Sequence, residues 1–230
     1  MGIPQYLAMT EGEIAAASVL PAALARMGCH FSGSGLADLP EKLPPEALLI
    51  LDDSTPMAEQ SIPEIAGALE AVLARLSCRG LLLDFQRPGI PAQRALAAFL
   101  RERLPCPIAA PPEYAPEDCA VFLPPVPILE TPEAYLRAWQ GREIWLDTAR
   151  CETDLHLTKC GCTLLPGCGE TVERPFYDDT LCCRYSIREE TDGFSFHLFR
   201  DRQCISNLLS RAEPLGAVLA VGLWQEMADP

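Results

Sequence analysis

The chain has 230 residues, 49% of them hydrophobic, enough to bury one full core, and barrel-type domains of this size run as one unit, so a single domain over 1–230 is expected. With 18 basic against 32 acidic residues the formal charge is −14, which repels phosphate backbones and anionic membrane surfaces and excludes nucleic acid and membrane as expected partners. No run approaches the roughly 18 apolar residues of a membrane span, and the N-terminal MGIPQYLAMTEGE lacks the basic start and apolar middle of a signal peptide, so a cytoplasmic setting is expected.

QYLAM (5–9) is the first apolar strand. EGEIAAASVLPAALARM reads as a helix, MGCHF (27–31) as a strand, and ALLILDD (47–53) as another strand after a Pro-rich link. SIPEIAGALEAVLARL opens with a capping box, Ser61 and Glu64, and places Ile65, Leu69, Val72, Leu73 and Leu76 on one helical face. GLLLDF (80–85) is a strand too apolar to have a solvated side, and the helix PAQRALAAFLRERL after it carries Leu96, Phe99, Leu100 and Leu104 as its buried stripe. PIAAPP, CAVFLPP and REIWLD are further strands whose short, Pro-rich connections predict reduced helices. Between Cys151 and about Arg202, TLCCRYSI and FSFHLF flank a TDG turn and predict a β-hairpin insertion; the helix QCISNLLSRAEPLG and the strand AVLAVGLW close the chain. Eight apolar strands, mostly separated by helices, predict a parallel sheet closed into a small (β/α)8 TIM barrel.

Seven of the eleven cysteines fall between Cys151 and Cys204. CxC followed by a vicinal pair is not the doubled CxxC of a zinc site, so reduced thiols and no metal are expected; Cys160, Cys162, Cys168 and His156 are the ligands a metal would need. No cofactor is called for. In barrels of this type binding groups sit where strands end and loops begin. That rule collects Thr10, Glu11, His30, Ser32, Asp52, Asp53, Asp84, Gln86, Glu113, Tyr114, Asp147, Trp224 and Glu226. Carboxylates that accept from hydroxyls, together with an indole that stacks on a sugar ring, make a carbohydrate-binding mouth. Taken singly, Asp52, Asp53 and Asp147 also suit plain helix capping, and Asp52 and Asp53 cannot both point inward from one strand.

RGLLLDFQRPGIPAQRALAAFLRERL followed by PIAAPP resembles the fourth strand, helix and fifth strand of family-18 glycoside hydrolases, closest to the bacterial branch of spore cortex and germination. ERPFYDDTLCCRYSI and then GFSFHLFRDRQCISNLLSRAEPLGAVLAVGLWQE follow the order of that branch, so two separated blocks carry the likeness. The resemblance implies a glycan containing N-acetylglucosamine, of chitin or peptidoglycan type, as ligand, and an association with spores. It also implies a signature strand D-x-x-D-x-D-x-E whose eight positions here are Arg79, Gly80, Leu81, Leu82, Leu83, Asp84, Phe85 and Gln86. Only the third acid stands, as Asp84. In the family the last Glu protonates the glycosidic oxygen while the 2-acetamido carbonyl of the substrate attacks the anomeric carbon, oriented by the Asp two residues earlier. Gln86 has nearly the size of that Glu, but its amide has no proton to release.

Other positions depart as well. ALLILDDST ends in two acids where the resemblance implies a small-residue SxGG-like stretch, and CAVFLPPVP lacks the Met-x-Tyr that holds the acetamido oxygen, a role left to Tyr114 if its loop folds back. Trp224 matches the last-strand Trp that floors the sugar subsite, or is an ordinary core residue. Three readings follow: a non-hydrolytic glycan binder using Asp84, Gln86 and Trp224; a glycosidase whose acid has moved to Asp52, Asp53, Glu113, Asp147 or Glu226; and a scaffold with no glycan site, making contact through its cysteine-rich insertion.

Overall fold

The computed structural model describes residues 2–33, 35–58, 61–167 and 174–227. In chain order the elements are β1 (Gln5–Met9), α1 (Glu11–Ala16), β2 (Leu24–Ser32), β3 (Gly35–Ala37), β4 (Leu48–Asp52), α2 (Ile62–Leu76), β5 (Gly80–Asp84), α3 (Pro91–Arg103), β6 (Ile108–Ala110) and β7 (Ala120–Leu123). There follow α4 (Pro132–Leu136), β8 (Ile144–Asp147), β9 (Glu152–Thr158), β10 (Gly161–Pro166), β11 (Phe176–Asp178), β12 (Cys183–Glu189), β13 (Gly193–Phe199), α5 (Arg202–Ala212), β14 (Ala217–Leu223) and α6 (Trp224–Met227). They fall into two compact units, one of Pro4–Leu123, Gly141–Asp147 and Val218–Pro230, the other of Met1–Ile3, Pro124–Gln140 and Thr148–Ala217.

The first unit is a barrel. β1, β2, β4, β5, β6, β7, β8 and β14 run parallel and neighbour one another in chain order, and β14 returns to β1, so the ring closes. Alternation along each strand divides its side chains between two cores. Leu82 lies inside with Tyr6, Leu48, Ile50, Ala109 and Trp145. Leu81, Leu83 and Phe85 lie outside, beneath Ile65 and Leu69 of α2 and Leu96 and Leu100 of α3. Each such side chain, taken from water to full burial, contributes about 1.5–3 kcal/mol. Gly80 is fixed by close packing: a Cβ there would sit 2.7 Å from the Pro107 carbonyl oxygen and 3.1 Å from the Trp145 ring.

The helices are few, as the Pro-rich links predict, and the expected helix over EGEIAAASVLPAALARM is cut short. α1 stops at Ala16, and Leu24 to Met27 belong to β2. Pro21 has no N–H to continue a helix, and the backbone beyond it pairs with both β1 and β4. The capping box expected at Ser61 and Glu64 is absent: the Ser61 backbone is already helical (φ −89, ψ −1), and its buried hydroxyl finds no partner. The box stands instead at Thr10, whose hydroxyl accepts from Glu13 N at 3.3 Å while the Glu13 carboxylate accepts from Thr10 N at 2.8 Å.

The second unit carries a five-stranded antiparallel sheet in the order β10-β9-β13-β12-β11. The predicted hairpin is its centre, β12 paired with β13 around the TDG turn. β9 and β10, a second hairpin with Thr, His and Cys among its residues, extend it. Arg200, buried at 3% exposure, donates to the carbonyls of Cys182, Leu181, Pro127 and Val126 and ties three loops together. Arg211 of α5 grips Glu133 of α4 with two bonds, 2.8 and 2.7 Å.

Candidate functional site

The C-terminal rim of the barrel sets titratable side chains in a row. His30 of β2 pairs in register with Asp52 of β4, and Asp52 with Asp84 of β5. Neighbouring strands lie about 4.8 Å apart, so the two carboxylates are close neighbours. Asp52 follows the inward Leu48 and Ile50 by parity, and Asp84 follows Leu82, which aims both at the mouth. Asp147 shares the parity of the inward Trp145 on β8 and is half-buried at the same rim. Nδ1 of His30 lies 3.1 Å from the Gly28 carbonyl and 3.7 Å from Asp38.

Burial pushes the Asp84 carboxyl above its ordinary value, against the hydrogen bond from Gln86, and the charges of Asp52 and Asp53 push it further. Gln86, exposed just past the strand, donates from Nε2 to Asp84 Oδ1 at 2.5 Å. The amide and the acid therefore form one unit facing solvent.

The loop that holds Gln86 is clamped from both sides. Asp53, at 2% exposure, accepts from Gln86 N, Arg87 N and Gln93 Nε2, each at 2.9 Å. Burial alone would raise its pKa, but those donors and the Arg87 charge together hold it below the ordinary carboxylate range. From the other side Glu113 accepts from Gly89 N at 2.7 Å, and the Tyr114 hydroxyl accepts from Ile90 N at 3.2 Å while donating to the Arg87 carbonyl. The Tyr114 ring packs edge-on to Phe85, 5.6 Å between centroids, in the outer core.

Three of the residues collected as sugar contacts thus have other work. Asp53 is one residue out of step with the inward Asp52 and turns away from the mouth, Tyr114 is packed beneath the helices, and one Glu113 oxygen is held by a loop amide. Trp224, expected either as the floor of the subsite or as a core residue, packs against Met9, Leu24 and Ala47. Leu219 and Val221 point inward, so alternation gives the inward place to Leu223 and turns Trp224 out at the start of α6. Glu226 is half-buried on the same short helix. Thr10 is spent on its cap, and Glu11 pairs with the buried Arg26 at 3.2 Å. The reading of strand ends found Asp52, Asp53 and Asp84 but missed the clamp, whose signal was a single acid next to an inward one, with a Gln seven residues beyond Gln86.

No protein-family model and no curated protein matches the sequence. Solved structures do. The spore cortex-lytic enzyme SleL of Bacillus cereus is 11% identical with a TM-score of 0.59, over 96% of this chain and 70% of that one. A class V chitinase from Nicotiana tobaccum, a Glu-to-Gln mutant in complex with NAG4, is 10% identical with a TM-score of 0.58, over 100% of this chain and 95% of that one. The chitinase-like agglutinin of Robinia pseudoacacia is 12% identical with a TM-score of 0.59, over 97% and 95%. At such identities the likeness is one of fold. This chain has a chitinase-like barrel fold.

In this chitinase-like barrel β5, Gly80–Asp84, lies within the block from Arg79 to Gln86 and delivers Asp84, with Gln86 just beyond it, to the rim. The rim can accept hydrogen bonds from hydroxyls and amides through Asp52 and Asp84. In the other unit, the thiols named as metal ligands do not converge on His156. Cys162 is paired with Leu157, so it lies on the sheet face opposite His156, whose ring is bonded to Ser195 at 2.9 Å and Asp192 at 3.2 Å. Cys168 lies outside the described residues. Among the described residues no three His, Cys, Asp or Glu side chains are placed to share a metal ion.

Proposed function

We propose that this protein binds glycans containing N-acetylglucosamine, of chitin or peptidoglycan type, at the mouth of its barrel and does not hydrolyse them efficiently. One observation carries the reading: an amide, Gln86, bonded to Asp84 at 2.5 Å, stands where a chitinase signature ends in its proton donor. Asp84 keeps the acceptor that would orient an acetamido N–H, and Asp52 beside it offers a second acceptor for a hydroxyl. Without a proton donor the leaving oxygen departs as an alkoxide, and loss of a positioned general acid slows hydrolysis by about 10²- to 10⁴-fold. The fold neighbours support both halves: an agglutinin shares the barrel, and a Glu-to-Gln chitinase mutant holds NAG4. The cortex-lytic neighbour points to cell-wall or spore glycan as the natural source.

The test is a thermal melt of the full chain with chitotetraose and with muropeptides, alongside a reducing-end assay on the same samples. Stabilisation without new reducing ends supports the reading. Release of reducing sugar contradicts the lost acid, and the absence of any stabilisation contradicts the glycan site.

A second reading has its own observation. Asp84 holds its proton above the ordinary range with Asp52 directly beside it, so this pair could supply acid and base in place of Gln86. Asp53 does not qualify, since both its oxygens accept from the loop; Glu113 gives one oxygen to Gly89 N, as Asp52 gives one to Ser54 N, but only Asp52 lies beside Asp84 in register. Hydrolysis with a bell-shaped pH profile that Asp52→Asn abolishes would select this reading over the first.

A further inference from the structure

The antiparallel sheet of the second unit has two unlike faces. Residues directly opposite one another across a ladder share a face, and the pairings Leu157 with Phe194, Leu164 with Leu155, Ile187 with Phe196 and Phe176 with Tyr185 put all of these on one side. Ile128 covers that side near Cys183 and Leu198. Farther along it, Leu157, Leu164, Phe176, Ile187 and Phe194 remain 43%, 57%, 59%, 49% and 47% exposed. The opposite face is mainly polar and internally bonded, His156 with Ser195 at 2.9 Å and His197 with Asp154 at 2.6 Å, with Leu165 and Tyr177 as its exposed apolar members.

The size and charge of the bare face select its occupant. At those exposures the five side chains offer on the order of 500 Å² of apolar surface, given about 150–250 Å² for a whole aromatic side chain. That is as large as the functional patch of a monomer, roughly 300–600 Å². A second copy would bring another −14 to the contact. The face runs into a concavity of about 790 Å³ floored by Leu157 and Phe194, with Glu189, Glu190 and Asp192 on its walls against one Lys159. Asp192 is 3.2 Å from His156; Glu189, directly opposite Phe194 and exposed, and the half-buried Glu190 next to it make the negative rim.

We propose that this face docks an amphipathic helix of a basic partner protein. The apolar stripe of the helix lies on Leu157, Ile187 and Phe194, and its Lys or Arg side chains reach Glu189 and Glu190. Bare sheet faces are ordinarily covered by a helix, an apolar stripe supplies the affinity, and the acidic rim excludes acidic competitors such as a second copy. The proposal does not depend on the barrel mouth.

A fluorescent Leu/Lys peptide of helical period, titrated into the full chain and followed by anisotropy, is the test, with the same peptide carrying Glu for Lys as control. The Lys peptide should bind saturably and the Glu peptide at least about tenfold more weakly, a difference of 1.4 kcal/mol. The double variant Ile187→Ser/Phe194→Ser and, separately, Glu189→Gln/Glu190→Gln should each cost about tenfold or more in affinity, measured under conditions where urea unfolding shows each variant to be fully folded, since the half-exposed Ile187 and Phe194 also contribute to stability. Equal binding of both peptides, no saturable binding, or indifference to both variants overturns the proposal. So does concentration-dependent dimerisation of the chain alone that Ile187→Ser/Phe194→Ser abolishes, since the occupant is then a second copy.

Discussion

Asp53→Ala removes the inner clamp of the Gln86 loop. The carboxylate accepts three hydrogen bonds at 2.9 Å, from two backbone amides and one side-chain amide, at 2% exposure. Hydrogen bonds to a charged group are worth about 1.5–3 kcal/mol each, and a buried donor left without a partner costs about 1–3 kcal/mol. Water entering the vacated site recovers part of the loss, so the net cost is about 3–5 kcal/mol. Urea unfolding at neutral pH measures it. The pH dependence supplies a second check. The folded pKa of Asp53 is depressed, so its contribution is complete above the unfolded value near 3.9 and is lost as the pH falls through the lower, folded value. Asp53→Ala should therefore lose part of its disadvantage in strong acid, the part carried by the charge, since a protonated carboxyl still accepts hydrogen bonds. A cost below about 1 kcal/mol at neutral pH, or one that is the same in strong acid, would refute the clamp.

Other substitutions probe the same rim. Asp84→Asn keeps the acceptor for Gln86 but removes a carboxylate whose pKa is raised by burial, so it should stabilise the chain at neutral pH, with an advantage that fades as the pH falls through the raised folded value and is gone below the unfolded value of about 3.9; a melting shift as large below that value as at neutral pH contradicts this. Gln86→Glu alone should yield no robust release of reducing sugar from chitotetraose, because CAVFLPPVP supplies no Tyr for the acetamido group and Tyr114 is packed in the outer core; vigorous hydrolysis would show the rest of the site to be intact. Trp224→Ala should destabilise by about 2–3 kcal/mol, somewhat below the cost at a full core site, yet leave chitotetraose affinity unchanged in the folded fraction, because the indole packs on Met9, Leu24 and Ala47. A large loss of affinity would return Trp224 to the mouth.

The barrel is legible because its strands are apolar on both faces and stand in chain order; GLLLDF alone announces a strand with no wet side, and the packing puts its Leu82 inward and its Leu81 and Leu83 outward. The same alternation along AVLAVGLW, with Leu219 and Val221 inward, turns Trp224 outward, which decides between the two roles its sequence position allows. The exchange of roles between Asp52 and Asp53 needed the register of β4 on β5 and the backbone amides of a loop, which no local pattern encodes. β9 and β10 were missed because their Thr, His, Cys and Asp residues dilute the alternation that FSFHLF displays clearly. The capping box at Ser61 had the right letters and the wrong backbone, since cap geometry depends on how the chain enters the helix as well as on its residues.

The most direct measurement is a crystal structure of the unaltered chain grown with chitotetraose. The predicted result is an intact tetrasaccharide at the C-terminal rim of the barrel, with an acetamido group on Asp84 and Gln86 beside the glycosidic oxygen. A cleaved sugar in the mouth, or a sugar bound away from Asp84, would contradict a chitinase-like barrel that binds without cutting.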